Sequence, residues 1–322
     1  MQTLLYLGEL SSSLMQKLSA ALPEWQISFQ RAGSENMPAE LLAEVTALAG
    51  QVSGTFIKET LPEARQLRWI QTWSAGINHL PLTMLARQKI LVTTQSGIHA
   101  ASISETIVGT MIAMVRQFQT CQRKQAAGVW QQDDRSRLST IHGKSVGILG
   151  AGHIGQETAR LLKAFSMETW GLRSHQTNTE WIDHVVTPAT VADLLRACDF
   201  VVNILPATSE TRGFMNQERF GLMRPGSRYI SVGRGQTTDT AALTQALQNG
   251  GLAAAALDVT DPEPLPAGHP LWYLPQVFLM PHQAGLFDQY DEQALEILIR
   301  NARAFAATGR PVVNLADLNR GY

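Results

Sequence analysis

The chain has 322 residues, of which 44% are hydrophobic and 16% are charged, and its formal net charge is −1. This length is typical of two domains, and the apolar fraction is enough for a substantial core. The balanced charge argues against a protein that binds nucleic acid or an anionic membrane surface.

The first hundred residues predict a small α/β domain. Apolar runs predict strands at 3–7, 25–29, 67–72 and 90–94. Helical spacing predicts helices at 12–22, where serines stand at the start, and at 38–49.

A glycine follows the strand at 67–72, in the turn that contains Ala75 and Gly76. A glycine just beyond a strand allows backbone N–H groups to face a ligand, so this turn is a candidate anion-binding nest. A plain turn between a strand and a helix explains the same residues, and the spacing alone favours that simpler interpretation.

A long helix is predicted after Gly97. Ser102 and Glu105 have the spacing of a capping box ahead of an apolar run at 107–115. Because the helix is apolar around most of its surface, we expect it to be covered on more than one side, as between domains or subunits. We place the first domain boundary near Gly97.

The strongest motif lies at 145–155, where an apolar strand runs into Gly150-x-Gly152-x-x-Gly155 and then a helix. This pattern is the dinucleotide-binding fingerprint. Gly150 would allow the tight turn, Gly152 would let the backbone approach a pyrophosphate, and Gly155 would let the helix pack closely on the sheet.

Strands and helices alternate regularly from residue 145 onwards. Strands are predicted at 145–149, 168–172, 200–205, 229–232, 253–257 and 277–280, and helices at 154–165, 191–198 and 240–248. Continuous apolar strands separated by helices indicate a parallel sheet covered on both faces, with ligands beyond the carboxyl ends of its strands. A last helix at 291–307 is long enough to return to the first domain, which would make that domain discontinuous.

Four polar residues follow predicted strands at this edge: Arg234, Asp258, Glu263 and His282. A histidine paired with a carboxylate and near an arginine suits proton transfer to the carbonyl of an anionic substrate. Arg234 as a surface ion pair, Glu263 as a solvated turn residue and His282 as a structural histidine are the simpler explanations. Their shared placement at the ends of strands in one sheet favours a common site.

The segments around these residues resemble the D-isomer-specific 2-hydroxyacid dehydrogenases. The matching segments are 229–235, 257–264, 281–285, 205–213 and the glycine loop, and the resemblance covers essentially the whole chain. It implies two doubly wound parallel-sheet domains of the α/β class. A flavodoxin-like substrate-binding domain (1–97 and 287–322) would be split by an inserted Rossmann domain (98–286) that binds NAD(P), with the active site in the cleft between them. It also implies a homodimer formed largely by the cofactor domains.

The resemblance implies a role for each site residue. His282 would protonate the carbonyl oxygen as hydride from nicotinamide C4 reaches C2 of a 2-oxo acid, Glu263 would orient His282 and keep it protonated, and Arg234 would bind the substrate carboxylate. Ala75 and Gly76 match the family's backbone cradle for that carboxylate, which favours the nest over the plain turn. Asp258 matches a position that contacts the nicotinamide carboxamide. The other expected cofactor contacts are Gly150, Gly152, His153, Ile154, Gly155, Pro206 and Gly233.

Two related activities are disfavoured. Formate dehydrogenases of the same superfamily carry a glutamine in place of the acid, so Glu263 argues against formate oxidation. The co-repressor branch keeps a similar triad, but the chain shows no long disordered tail for recruiting partners. A nucleotide-sensing binding protein without turnover remains the alternative from a different class.

The residues after the second strand of the cofactor domain indicate which dinucleotide is used. An NAD-preferring enzyme has an acidic residue about 20 residues beyond the glycines, but Arg173 and Ser174 stand there. A guanidinium and a hydroxyl suit a 2′-phosphate, whereas a solvated arginine beside loosely bound NAD(H) is the other explanation. We expect NADP(H) to be preferred, with NAD(H) possible.

NADPH preference points to reduction, and the sequence looks most like the glyoxylate/hydroxypyruvate reductase branch. We therefore expect small 2-oxo acids as substrates, with bulkier 2-oxo acids as an alternative. The candidates for the pocket wall are Trp73, Asn78, His99, Trp272 and Tyr273.

Because no secretory signal is found, and because Cys121 and Cys198 lie in no metal or redox spacing, we expect a cytoplasmic protein without a metal or a membrane span.

Overall fold

A computed structural model of the chain describes residues 2–33, 37–175 and 179–319. The chain divides into two compact units, Met1–Ile98 with Phe287–Tyr322, and His99–Leu286. Each unit contains one sheet, and all strand pairs within the two sheets are parallel. The predicted α/β class with two parallel sheets is confirmed.

The first unit is built around a five-stranded sheet. Its N-terminal elements are β1 (Gln2–Leu7), α1 (Ser12–Ala21), β2 (Trp25–Gln30), α2 (Ala39–Glu44), β3 (Ala47–Gly50), α3 (Gly54–Thr60), β4 (Trp69–Thr72), α4 (Leu82–Arg87) and β5 (Leu91–Thr93). The strand order is β2-β1-β3-β4-β5, which is the order of flavodoxin-like sheets.

One predicted helix is wrong in its second half. The pattern predicts a helix over 38–49, but α2 ends at Glu44 and β3 pairs with β1 on one side and β4 on the other. All four residues of β3 are buried. Alanine and leucine have high helix propensity, but burial on both faces of a central strand overrides that preference. Gly50 ends the strand with φ = 100°, and a Cβ there would lie 2.1 Å from the Leu7 carbonyl oxygen.

The second unit carries a seven-stranded sheet. Its elements are α5 (Ala100–Val115), α6 (Phe118–Ala126), β6 (Ser145–Leu149), α7 (His153–Lys163), β7 (Glu168–Leu172), β8 (His184–Val186), α8 (Val191–Ala197), β9 (Phe200–Asn203), α9 (Gln217–Leu222), β10 (Ser227–Ser231), α10 (Thr240–Gln248), β11 (Leu252–Leu257) and β12 (Val277–Leu279). The strand order is β12-β11-β10-β9-β6-β7-β8. The order reverses between β6 and β9, and doubly wound sheets bind ligands beyond the carboxyl ends of strands at such a point.

The last helix, α11 (Tyr290–Thr308), belongs to the first unit. Its buried face includes Leu295, Leu298 and Phe305, which share a hydrophobic cluster with Leu4 of β1 and Trp69 of β4. The helix thus covers one face of a sheet formed by the other end of the chain. Across the described ranges, no helix is both long enough and apolar enough to cross a membrane.

Candidate active site

The glycine loop directly follows β6, at the point where the strand order reverses. Gly150 has φ = 101°, a conformation that glycine adopts without strain. A Cβ on Gly155 would lie 2.6 Å from the Gly150 carbonyl oxygen, whereas a Cβ on Gly152 would meet nothing within 4 Å. The loop therefore packs tightly against α7 at Gly155 and leaves open space at Gly152. The first N–H groups of α7, which begins at His153, suit a phosphate at this position.

The ends of β9 and β10 lie beside the glycine loop. A Cβ on Gly150 would stand 3.2 Å from the carbonyl carbon of Ile204, and a Cβ on Gly233 would stand 2.6 Å from the carbonyl oxygen of Leu205. Glycine at both positions thus allows the backbones to approach closely. Pro206 and Gly233, both predicted to contact the cofactor, lie at the same edge of the sheet as the loop.

Arg173 follows β7, which pairs with β6 in the sheet. The backbone N–H of Arg173 donates to the Val186 carbonyl at 3.0 Å. Arg173 is partly buried, and Ser174 is exposed. The residues that the structure describes directly after β7, Arg173, Ser174 and His175, include no carboxylate that could bind a ribose 2′-hydroxyl. A cation and a hydroxyl are instead the groups that bind a phosphate, so the donor set fits NADP(H).

His282 and Glu263 form a hydrogen-bonded pair. The distance between His282 Nδ1 and Glu263 Oε1 is 2.6 Å, and the two side chains are 48% and 41% exposed. Because an ionised carboxylate only accepts hydrogen bonds, Nδ1 carries the proton and Nε2 is the atom available to a ligand. His282 has φ = 52°, in the left-handed region that few non-glycine residues adopt.

Asp258 holds the segment that follows His282. Asp258 is only 3% exposed, and its Oδ1 accepts hydrogen bonds from the N–H groups of Gln283 at 2.8 Å and Ala284 at 3.1 Å. These contacts show a buried carboxylate that is satisfied by the backbone beside the histidine. Contact between Asp258 and a nicotinamide carboxamide stays a prediction.

Arg234 lies just beyond β10 and is partly buried. Its guanidinium donates to the Gly233 carbonyl at 2.8 Å. Burial lowers the pKa of Arg234 from its ordinary value, and the negative charge of Glu263 opposes that shift. Among the carboxylates that the structure describes, none forms an ion pair with this guanidinium. Such a cation is suited to binding an anionic ligand.

The start of α5 corrects the predicted capping box. The N-cap is His99, and no side chain caps the helix. Ser102 Oγ instead donates to the Ala284 carbonyl at 2.5 Å, and His99 Nδ1 lies 3.2 Å from the Gly285 carbonyl oxygen. The capping-box prediction is wrong because a tertiary contact takes the serine hydroxyl that the local pattern assigned to the helix end. The sequence predicts His99 only as a candidate residue of the pocket wall, but the structure places it next to the turn that carries His282.

Ala75 and Gly76 lie in the first unit, in the turn after β4. Thr72 Oγ1 donates to the Ser74 carbonyl at 2.8 Å, and Ser74 Oγ donates to the Gly76 carbonyl at 2.8 Å. Within the described parts of the chain, no group accepts a hydrogen bond from the N–H of Ala75 or Gly76. Two such N–H groups in a turn braced by hydroxyls are compatible with an anion-binding nest.

The other predicted pocket-wall residues differ in their surroundings. Trp73 Nε1 donates to Asp291 Oδ1 at 2.8 Å, which ties this side chain to α11. Trp272 Nε1 donates to the Pro266 carbonyl at 3.0 Å. Trp272, Tyr273 and Asn78 are exposed. These contacts place Trp73 in the framework of the first unit and leave the other three at the surface of their own units.

Known proteins match the chain over most of its length. Residues 108–284 match the model of a protein family described as "D-isomer specific 2-hydroxyacid dehydrogenase, NAD binding domain". Glyoxylate/hydroxypyruvate reductase A from Serratia proteamaculans is 30% identical over 274 residues, which cover 82% of this chain and 84% of that protein.

Two solved structures have the same architecture. A D-isomer specific 2-hydroxyacid dehydrogenase family protein from Aeromonas salmonicida is 30% identical, with a TM-score of 0.85 and coverage of 98% of this chain and 99% of that one. A D-isomer specific 2-hydroxyacid dehydrogenase from Xanthobacter autotrophicus, solved with NADPH and MES, is 28% identical, with a TM-score of 0.84 and coverage of 100% and 99%. The resemblance stated from the sequence is confirmed.

Substitution of two loop glycines will separate ligand binding from folding. We expect Gly152→Val to raise the dissociation constant for NADPH at least about tenfold, equivalent to about 1.4 kcal/mol, because its side chain enters open space that a pyrophosphate needs. The melting temperature will stay within about 2 °C of the original, since a Cβ there meets nothing within 4 Å. Fluorescence titration and calorimetry measure the two quantities.

Gly155→Val is the matched control, because its Cβ would collide with the Gly150 carbonyl oxygen at 2.6 Å. It should lower the melting temperature as well as the affinity. Unchanged NADPH affinity in Gly152→Val would show that the loop does not hold the dinucleotide.

Proposed function

The chain belongs to the D-isomer-specific 2-hydroxyacid dehydrogenase family, and from this we propose that it reduces small 2-oxo acids to D-2-hydroxy acids with NADPH. The observation that carries this function is the 2.6 Å hydrogen bond between His282 and Glu263. Glu263 is also close enough to Arg234 for its negative charge to affect the pKa of the guanidinium. A proton donor, the group that orients it and a cation for a carboxylate are the functions that reduction of a 2-oxo acid requires of the protein.

Each of the three side chains has one task in this reaction. Bound NADPH supplies hydride to C2 of the substrate. Arg234 binds the substrate carboxylate through its planar N–H groups and thereby orients the carbonyl. His282 Nε2 gives its proton to the carbonyl oxygen, which removes the negative charge that develops there. Glu263 accepts the Nδ1–H and stabilises the imidazolium.

We propose that the NADPH-binding domain spans residues 98–286, which is one residue more than the second unit, His99–Leu286. The match of residues 108–284 to an NAD-binding domain supports this assignment. Gly150, Gly152, His153, Ile154 and Gly155 would hold the pyrophosphate at the start of α7. Pro206 and Gly233 would add contacts from the neighbouring strand ends.

Residues 1–97 and 287–322 form the proposed substrate-binding domain. The N–H groups of Ala75 and Gly76 support an anion-binding role for this unit, because no described group accepts their hydrogen bonds. Glyoxylate and hydroxypyruvate are the proposed substrates. The name of the Serratia proteamaculans relative, a glyoxylate/hydroxypyruvate reductase, supports that choice.

The test is NADPH oxidation by the purified chain against a panel of 2-oxo acids from glyoxylate to branched and aromatic acids. We expect the highest kcat/KM for glyoxylate or hydroxypyruvate. His282→Ala should lower kcat by at least about 100-fold, because general acid catalysis contributes that much, while the dissociation constant for NADPH changes by less than about twofold.

His142→Ala is the control for this experiment, since His142 is an exposed histidine of the same unit. Its kinetics should match those of the unchanged protein. Highest activity on a bulky 2-oxo acid would correct the substrate, and NADPH binding without turnover of any 2-oxo acid would identify a nucleotide-sensing binding protein instead.

The preference for NADPH over NADH depends on Arg173 and Ser174. Arg173→Asp removes the attraction for the 2′-phosphate. We therefore expect the ratio of kcat/KM for NADPH to kcat/KM for NADH to fall by at least about tenfold, equivalent to about 1.4 kcal/mol, so that NADH becomes the preferred cofactor. Arg196→Asp makes the same charge change at an exposed position in the last turn of α8 and should leave the ratio unchanged. A higher kcat/KM for NADH in the unchanged protein would refute the NADPH preference.

We also propose a homodimer formed through the second unit. Trp130 is 102% exposed, and Phe118 and Val129 nearby in the chain are 50% and 46% exposed. Large exposed apolar side chains are typical of protein interfaces.

Both cysteines are free thiols, which supports a reducing, cytoplasmic location.

Sedimentation velocity will measure the assembly. We expect the unchanged chain to sediment as a dimer and Trp130→Lys to sediment as a monomer, because a buried lysine at the interface would be desolvated without a partner. Val312→Lys changes another exposed apolar residue, in the first unit, and should remain dimeric. A monomeric unchanged chain would exclude the dimer.

A further inference from the structure

The turn that carries His282, residues 282–286, is held by hydrogen bonds on two sides, and we call it the histidine turn. From the position just after β11, the Asp258 carbonyl accepts the His282 N–H at 2.9 Å, and the Asp258 carboxylate accepts the next two N–H groups. From the first turn of α5, Ser102 Oγ donates to the Ala284 carbonyl at 2.5 Å and His99 Nδ1 approaches the Gly285 carbonyl at 3.2 Å. The first three N–H groups of the histidine turn thus bind to Asp258, and its Ala284 and Gly285 carbonyl groups contact Ser102 and His99.

We propose that His99 and Ser102 are positioning residues for His282. His99 is the N-cap residue of α5 and Ser102 lies in its first turn, and both side chains reach the histidine turn. Together they fix the backbone conformation in which His282 contacts Glu263. The consequence for turnover rests on the proposed function, whereas the consequence for the hydrogen bond between His282 and Glu263 does not.

The backbone of His282 needs such support. Its φ of 52° is unfavourable for a residue with a side chain, and such conformations persist where surrounding contacts hold them. The bonds to Asp258 fix the N–H groups but leave the carbonyls of Ala284 and Gly285 free to turn. Ser102 and His99 bind these two carbonyls, so the peptide planes after His282 are fixed at both ends.

His99 is chemically suited to this task near neutral pH. A carbonyl only accepts hydrogen bonds, so the proton of the contact is on His99 Nδ1. Burial and the positive charge of Arg234 lower the pKa of His99, although the contact with Gly285 opposes them. The imidazole therefore stays neutral and adds no positive charge beside Arg234. Gly285 lets the ring approach, because a Cβ there would lie 3.1 Å from His99 Nδ1.

The test compares removal of each donor with its conservative replacement. Ser102→Ala and His99→Leu remove the donors, Ser102→Thr keeps the hydroxyl, and His99→Asn keeps an N–H near the position of Nδ1. Thr110→Val is the matched control, because the Thr110 hydroxyl, among the residues that the structure describes, binds carbonyls of its own helix alone. Thermal unfolding of every variant reports any general loss of stability.

We expect the double variant Ser102→Ala/His99→Leu to lower kcat by about 100-fold, since small displacements of a catalytic group have effects of that size. The KM for the 2-oxo acid should change by less than about threefold, because Arg234 is unaltered. Each single variant should lower kcat by about tenfold, and Ser102→Thr and His99→Asn should recover it to within about threefold. Thr110→Val should leave kcat unchanged.

Proton NMR provides a measurement that needs no turnover. We expect the hydrogen-bonded Nδ1 proton of His282 to give a downfield signal in the unchanged chain and in Thr110→Val, and to lose that signal in the double variant. An unchanged signal with kcat within twofold in the double variant would overturn the inference. If the double variant does not fold, the same two readings on the single variants decide. If the unchanged chain reduces no 2-oxo acid, the proposed function fails while the NMR signal still decides the role of His99 and Ser102.

Discussion

The hydrogen bond between His282 and Glu263 is the interaction on which the site depends, and a parallel sheet makes it possible. Glu263 follows β11 and His282 follows β12, and these strands are neighbours that run in the same direction. Their carboxyl ends therefore meet at one edge, and side chains from two separate loops reach 2.6 Å. An antiparallel pair would place the two loops at opposite edges of the sheet.

The same constraint explains where the dinucleotide loop lies. Because the strand order reverses between β6 and β9, the connections after these strands leave toward opposite faces and open a crevice beyond their ends. Gly150 and Gly233 allow the backbones at this crevice to approach without side chains between them. One edge of one sheet thus carries both the loop proposed to hold the pyrophosphate and the groups proposed to act on a carbonyl.

The sequence predicts those parts of this arrangement that have a local pattern. Strand β6, strand β7 and helix α10 have the bounds that their apolar patterns predict, 145–149, 168–172 and 240–248. Residues at strand ends could be found because the glycine motif and the alternation of strands and helices place them there. The sequence does not predict β8, since it is an edge strand with only two apolar residues and only one of its three residues is buried. Strand β3 was mistaken for a helix, since small apolar residues suit both a helix and a central strand.

Polar contacts between distant residues could not be predicted, and they decide how the site is held. The pattern around Ser102 predicts a helix start, yet α5 begins at Ala100 and the Ser102 hydroxyl binds Ala284, which is 182 residues further along the chain. Asp258 has the residue type of a ligand-binding strand end, yet its carboxylate is satisfied by backbone N–H groups 25 and 26 residues away. Local propensity cannot weigh such partners, because their energy depends on a fold that must already exist. Residue type and strand position therefore predict the groups proposed to do chemistry, whereas only the three-dimensional structure shows the contacts that hold them in place.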